Sequence, residues 1–181
     1  KYGLYVLMIL DKNFLSKDNI DFIENYILGP DCPFYVKTGI GVGDDVKTLT
    51  HCVLPRPENR SVTYEKHPFW DKFENILINF CQNNNLACSE IFRISINLTY
   101  YNGTVEKSPI HIDHDFEHNQ LIVYLNNTLD KNCSTVLLNG KDEIYGEVNP
   151  EKYMGLCFPK MRHYLKFPKM GERYVLVYTF K

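Results

Sequence analysis

Two distant segments of the sequence carry residue types that can hold a metal ion. The segment SPIHIDHDF, residues 108–116, contains His111 and Asp113 two positions apart, and His163 follows 52 residues after His111. Successive side chains of a strand point to opposite faces, so a strand here would turn His111 and Asp113 to one face. Two imidazoles and one carboxylate, with other coordination positions open, form the ligand set of a non-haem Fe(II) site. We therefore predict a metal triad of His111, Asp113 and His163.

Arg173 is a further candidate site residue. It stands at the start of the last apolar segment and alternates with Val175 and Val177. A guanidinium among apolar neighbours on a strand face is costly unless it is paired. Its natural partner is a carboxylate, bound through two parallel hydrogen bonds. The pattern predicts that Arg173 binds an acidic ligand beside the metal.

The His-x-Asp pair is a weak signal when it is taken alone. With six histidines and 22 acidic residues, chance gives about 0.7 such pairs. A hydrogen-bonded core histidine is the alternative interpretation of His111. His114 and His118 are rival ligands, but neither has an acidic residue two positions later. The combination with His163 and Arg173 is what favours the metal site.

Bulk properties favour one folded domain spanning residues 1–181. A chain of this length suits one sizeable core, and 44% hydrophobic with 23% charged residues is typical of globular proteins. The net charge of −2 does not favour nucleic acid as a partner. The apolar segment 3–10 is too short to span a membrane and predicts a buried strand. Six cysteines without a CxxC pair exclude a zinc ribbon and favour reduced thiols in the cytoplasm.

The predicted elements place a β-rich catalytic half after a supporting half. Apolar periodicity predicts helices over 16–28, capped by Ser16, and over 67–81. Residues 91–101 alternate strictly between apolar and polar side chains, as a strand does. We predict a mainly β fold with flanking helices, a double-stranded β-helix or jelly roll of the cupin type, with residues 1–90 as support and 91–181 as the core. The predicted strands are 34–39, 49–54, 91–101, 109–113, 119–126, 133–138, 143–148, 154–158, 162–167 and 172–180.

Five elements in order resemble the 2-oxoglutarate- and Fe(II)-dependent dioxygenases, and within them the prolyl-4-hydroxylase-like branch. The resemblance covers about residues 91–181. Its elements are Tyr101-Asn102-Gly103, then His111 with Asp113, then Tyr124-Leu125-Asn126, then His163, then Gly171-Glu172-Arg173.

This resemblance implies a role for each candidate residue. The metal triad would hold Fe(II), and the cosubstrate 2-oxoglutarate would bind with its far carboxylate on Arg173 and Tyr124. Tyr101 would border the cosubstrate near the metal. The implied reaction consumes dioxygen, releases succinate and CO2, and hydroxylates a C–H bond. Ascorbate is a further candidate cofactor.

The substrate stays open between a protein side chain, prolyl included, and a small molecule. Prolyl hydroxylases usually carry a Gly-Gly-Glu-Thr-like stretch after the Tyr-Leu-Asn element, whereas residues 132–135 read Asn-Cys-Ser-Thr. The nucleic-acid-demethylating branch carries a second arginine in its last strand. No arginine follows Arg173 here, so the sequence does not favour that branch.

A catalytically inactive cupin-like module that binds a metal or ligand is the alternative function. Polar loops at 39–48, 56–67 and 104–109 are candidates for a substrate lid.

Overall fold

Two antiparallel β-sheets form most of the structure. The computed structural model describes residues 8–39, 47–100, 103 and 105–181. The larger sheet has the order β1-β8-β5-β10-β4-β3-β2, and the smaller one the order β7-β6-β9. The strands are β1 (Ile9–Asp11), β2 (Tyr35–Thr38), β3 (Lys47–Leu54), β4 (Ile91–Tyr100), β5 (Asn119–Tyr124), β6 (Ser134–Leu138), β7 (Ile144–Val148), β8 (Gly155–Pro159), β9 (His163–Lys166) and β10 (Glu172–Phe180).

The two helices cover the outer face of the larger sheet. Helix α1 (Lys17–Phe22) continues as a turn of π-helix over Ile23–Ile27, and α2 spans Trp70–Asn83. Ser16 caps α1 as predicted, because its hydroxyl accepts from the Asn19 amide and the Asn19 side chain accepts in return from the Ser16 amide. The aromatic and aliphatic stripe of α2 packs into the core formed with that sheet face. The mainly β fold with flanking helices and a jelly-roll arrangement of strands is confirmed.

Both faces of β4 are covered, for different reasons. Ile94 and Ile96 are fully buried in the core beneath the helices. On the opposite face, Asn97 and Thr99 line a cavity between the two sheets. The strict alternation in this segment therefore separates a helix-covered face from a cavity-lining face, and it does not mark a solvent-exposed side.

The prediction of a regular strand over 109–113 is wrong. This segment lies beside β9, held by isolated pairings of Lys107 with Lys166 and of His111 with His163. Four positions separate the two pairings on the segment, but only three separate them on β9. The segment therefore carries one extra residue, as a β-bulge does.

Ser108 and Pro109 explain this irregularity. Proline has no backbone N–H and cannot donate to a ladder. The Leu165 amide donates to the Ser108 hydroxyl at 3.0 Å, so a side chain takes the place of a backbone carbonyl. Regular pairing is then interrupted until His111, whose amide donates to the His163 carbonyl at 3.0 Å.

Several other expectations have partial outcomes. The predicted strand over 3–10 is seen as β1, and residues 1–7 lie outside the described residues, as do 40–46 of the first proposed lid loop. All six cysteines are free thiols, four of them buried. Within the part of the chain that the structure describes, no helix has the length and apolar character needed to cross a bilayer. The assignment of residues 1–181 to one domain stays a prediction.

Gly155 gives a test of the packing between α2 and the larger sheet. A Cβ at this position would lie 2.8 Å from Phe80 Cε2 and 2.9 Å from Phe14 Cε1. We expect Gly155→Ala to lower the free energy of unfolding by about 1–3 kcal/mol through overpacking. Gly140→Ala is the matched control, because nothing lies within 4 Å of its Cβ position. Urea unfolding of both variants is the measurement, and equal midpoints would contradict this packing.

Candidate functional site

A cavity lies between the two sheets. Its volume is about 710 Å³ when the open space at its mouth is included. The larger sheet lines it from β2, β3, β4, β5 and β10, and the smaller sheet from β6 and β9. Four of the predicted site residues, His111, Asp113, His163 and Arg173, line this one cavity.

His111 and His163 face each other, and a backbone hydrogen bond determines which ring nitrogen of each carries the proton. Their ring centroids are 4.4 Å apart, and each Nδ1 lies 3.0 Å from a backbone carbonyl two residues earlier, that of Pro109 and that of Met161. A carbonyl only accepts, so each Nδ1 carries the proton and each Nε2 keeps its lone pair. Burial, together with the neighbouring His111, lowers the pKa of His163 to about 4. His163 is therefore neutral at neutral pH, as a metal ligand must be.

The bulge keeps His111 and Asp113 on the inner side of their segment. Ile110 and Ile112, which alternate with them, are each 39% exposed, whereas Asp113 is 5% exposed. The alternation that the sequence pattern predicted therefore survives although the regular strand does not.

Two arginines hold the Asp113 carboxylate. Arg56 Nη2 lies 2.7 Å and Arg93 Nη1 3.1 Å from the same oxygen, Oδ1, and Arg56 also bonds the Asp113 backbone carbonyl. Burial alone would raise the pKa of Asp113, but Arg93, His163 and Arg56 outweigh it and hold the pKa well below its ordinary value. The carboxylate is therefore ionised at neutral pH.

The donor set fits a divalent metal without forming a closed site. Among the described residues, no three His, Cys, Asp or Glu side chains are already placed around a common metal position. The groups that a metal needs are nevertheless present, namely the Nε2 atoms of two imidazoles and the ionised carboxylate of Asp113. Both arginines donate to the same oxygen of that carboxylate, Oδ1. Such a set suits Fe(II) with further positions open. The assignment of His111, Asp113 and His163 as ligands stays a prediction.

Arg173 is a buried cation whose side chain has unused hydrogen-bonding capacity. It is 4% exposed, its Nη2 donates to Thr135 Oγ1 at 3.0 Å, and its Nε has no partner in the described part of the chain. Across residues 8–39, 47–100, 103 and 105–181, no carboxylate forms a salt bridge with it. An unpaired buried guanidinium is costly, and an acidic ligand in the cavity would complete its pairing.

Tyr124 and Thr135 extend this anion-binding group. The Tyr124 hydroxyl lies 2.8 Å from Thr135 Oγ1, and the Arg173 guanidinium carbon lies 5.4 Å from the centre of the Tyr124 ring. Burial raises the pKa of Tyr124 above its ordinary value, although Arg173 opposes the shift. The phenol therefore stays protonated. Thr135 lines the cavity and Tyr124 does not, so Tyr124 can donate to Thr135 and leave the Thr135 hydroxyl to donate to an anion held by Arg173.

The rival histidines lie outside the cavity. His114 Nε2 bonds Thr179 Oγ1 at 2.7 Å, and His118 Nδ1 bonds the Phe116 carbonyl at 2.8 Å. Neither histidine lines the cavity. Tyr101, predicted to border the cosubstrate, lies outside the described residues.

Sequence reasoning missed four polar residues of this site. Arg93 stood on the polar face of the strand predicted for β4, and that face was the available signal. Gln120, whose Nε2 lies 3.4 Å from His163 Nε2, and Thr135 lie on predicted strands without any local mark of function. Arg56 begins the polar loop 56–67, which the sequence indicated as a candidate lid, but nothing in the sequence indicated its contact with Asp113.

Comparisons with known proteins find likeness in structure rather than in sequence. No family model matches the chain, and no curated protein matches its sequence. An oxidoreductase of the 2OG-Fe(II) oxygenase family from Burkholderia pseudomallei superposes with a TM-score of 0.75 at 14% identity, covering 96% of this chain and 84% of that one.

Two prolyl hydroxylases are also similar in structure. One is a prolyl-4-hydroxylase from Pseudomonas putida, with a TM-score of 0.64, 13% identity and coverage of 98% of this chain and 93% of that chain. The other is a prolyl hydroxylase from Trichoplax adhaerens in complex with a peptide fragment of the hypoxia inducible factor oxygen degradation domain. Its TM-score is 0.61 at 13% identity, with coverage of 96% and 82%. At these identities the likeness shows that the chain has the fold of these oxygenases.

Thr135 offers a test of the anion-binding group in the absence of any ligand. Thr135→Val removes the hydroxyl that joins Arg173 to Tyr124 and leaves both buried partners short of a hydrogen bond. We expect it to lower the free energy of unfolding by about 1–3 kcal/mol. Thr135→Ser, which keeps the hydroxyl, is the control in the same denaturant titration. A valine variant as stable as the serine variant would show that the hydroxyl bridges nothing.

Proposed function

We propose that this chain, folded like the 2OG-Fe(II) oxygenases, is a 2-oxoglutarate- and Fe(II)-dependent dioxygenase that hydroxylates a C–H bond and releases succinate and CO2. One observation carries the proposal. The same cavity is lined by two imidazoles whose Nδ1–H groups bond backbone carbonyls, by the ionised Asp113, and by Arg173, which has no carboxylate partner among the described residues. These residues come from three separate segments of the chain.

The metal would be held by His111 and His163 through Nε2 and by Asp113 through its carboxylate. Iron bound in this way would supply the activation of dioxygen that 2-oxoglutarate decarboxylation drives. The Nδ1 hydrogen bonds to backbone carbonyls fix the orientation of both rings, as such bonds do at metal sites. Arg56 and Arg93 keep the carboxylate ionised and fix its rotation.

The far carboxylate of 2-oxoglutarate would bind Arg173. The Arg173 Nε, which has no partner among the described residues, and the Arg173 Nη2 can donate to the two carboxylate oxygens. The Thr135 hydroxyl can add a further donor, with Tyr124 donating to Thr135 from behind. Val175, Val177 and Ile122 line the cavity nearby and limit the access of water. The predicted involvement of ascorbate rests on the resemblance alone.

A protein side chain is one candidate substrate, and a small molecule is the other. Two of the similar structures are prolyl hydroxylases, and one of them holds a peptide. A prolyl side chain is therefore the first protein substrate to examine.

A catalytically inactive binding module is the second candidate function. The observation that favours it is the double ion pair of Asp113, because a carboxylate satisfied by Arg56 and Arg93 can remain without a metal. Succinate formation from 2-oxoglutarate in the presence of Fe(II) separates the two functions, since only the dioxygenase produces it.

The ligand assignment predicts loss of turnover with retention of the fold. We expect His111→Ala and Asp113→Ala each to abolish succinate formation, because each removes one of three donors. His118→Gln is the control, since His118 lies outside the cavity and should keep the parental rate. A triad variant that produces succinate at the parental rate would refute the assignment, provided that circular dichroism shows the fold unchanged.

The role of Arg173 predicts a change in cosubstrate requirement. Arg173→Ala removes charge-assisted hydrogen bonds worth about 1.5–3 kcal/mol each, so we expect the apparent KM for 2-oxoglutarate to rise by about tenfold or more. The control is Arg162→Ala, whose exposed side chain pairs with Asp142 outside the cavity. An unchanged KM in the Arg173 variant would show that this arginine has another role.

A further inference from the structure

The charges that line the cavity do not balance. Among the described residues, four cationic side chains line it, those of Lys37, Arg56, Arg93 and Arg173, against the single carboxylate of Asp113. With neutral histidines this is a formal charge of +3, whereas the whole chain carries −2. The positive charge is thus concentrated in the cavity, where low-dielectric walls focus its field.

The proposed metal and cosubstrate leave this excess in place. A divalent cation and the dianion of 2-oxoglutarate cancel each other in formal charge. Arg173 is assigned to the cosubstrate and lies beside Thr135 and Tyr124. Among the described residues that line the cavity, Asp113 is still the one carboxylate that the remaining three cations face.

These three cations form one group, which we call the mouth cluster: Lys37, Arg56 and Arg93. All three line the same cavity, and partial desolvation, followed by the charges of the two arginines, lowers the pKa of Lys37. Both arginines share one oxygen of Asp113. Lys37, exposed on the edge strand β2, has no salt bridge within the described parts of the chain. Glu58 acts on Arg93 only at longer range.

A cluster of like charges is unfavourable unless a ligand compensates for it. Three cations against one carboxylate repel one another, and an oxyanion placed among them would convert that repulsion into charge-assisted hydrogen bonds. The planar guanidinium groups suit the paired oxygens of a carboxylate or a phosphate. A neutral substrate would leave the cluster uncompensated.

We infer that the substrate of this site carries an oxyanion, a carboxylate or a phosphate, and that the mouth cluster binds it with Lys37 as the outermost contact. The inference rests on the proposed function for the reaction that follows, but the binding step can be measured without turnover. It limits the substrate to acidic small molecules and to peptides that carry an acidic group at or beside the hydroxylated residue, a prolyl residue included.

Binding of three small probes tests the inference. The probes are N-acetylaspartate α-amide, N-acetyl-O-phosphoserine amide and the neutral N-acetylasparagine amide. They are titrated by NMR chemical shift into the protein with Fe(II) and saturating 2-oxoglutarate, without dioxygen, so that Arg173 is already occupied. We expect at least one charged probe to bind about tenfold more tightly than the neutral one, with an advantage that shrinks as salt is added. The charged probe that binds more tightly shows whether the site prefers a carboxylate or a phosphate.

Variants of Lys37 locate the effect. We expect Lys37→Gln to weaken binding of the preferred charged probe about two- to fivefold, as for an exposed ion pair, and to leave the neutral probe unchanged. Lys37→Arg should retain the affinity. Lys72→Gln, an exposed lysine on α2 that does not line the cavity, is the matched control.

The outcomes separate this inference from the proposed function. Equal binding of charged and neutral probes, or equal losses in Lys37→Gln and Lys72→Gln, would overturn the inference. Succinate formation is measured separately. If it is absent while the charged probe still depends on Lys37, the oxygenase proposal fails and the oxyanion site stands.

Discussion

The site depends on two reciprocal backbone hydrogen bonds between His111 and His163, each 3.0 Å long. They join the irregular segment after Ser108 to β9 and place the centroids of the two imidazole rings 4.4 Å apart. They set the position of the segment relative to β9, and Arg56 and Arg93 then hold the carboxylate of Asp113. The bulge beside Pro109 is part of this constraint, because it sets which residue of the segment meets His163.

Buried charge is the second feature that shapes the cavity. Asp113 is compensated by two arginines, whereas Arg173 has the Thr135 hydroxyl and no carboxylate as its partner among the described residues. Removing one partner of a buried ion pair costs about 3–5 kcal/mol, because the remaining charge is left buried and uncompensated. Arg173 retains a donor without a partner in the described structure, and such donors in native structures call for an explanation. A ligand carboxylate provides one.

The architecture explains how a small chain holds a polar cavity. Helices α1 and α2 cover one face of the larger sheet and complete an apolar core there. The other face is then free to carry polar side chains, such as Asn97 and Thr99, toward the smaller sheet. A second apolar cluster between the sheets, which includes Leu156 and Val177, closes the space beyond the cavity.

Local patterns in the sequence predicted the helices and the strands, apart from the irregular segment 109–113. They also predicted the alternation of β4, the Ser16 cap and an arginine among the apolar residues of the last strand. They also pointed to His111, Asp113 and His163, because residue type and spacing of two are local properties. Tertiary structure alone decided that Arg56, 57 residues away, and Arg93, 20 residues away, meet on Asp113, and that Thr135 joins Tyr124 to Arg173. Ion pairs and hydrogen bonds across such separations depend on how sheets pack and where a bulge shifts the register, and neither leaves a periodic trace in the sequence.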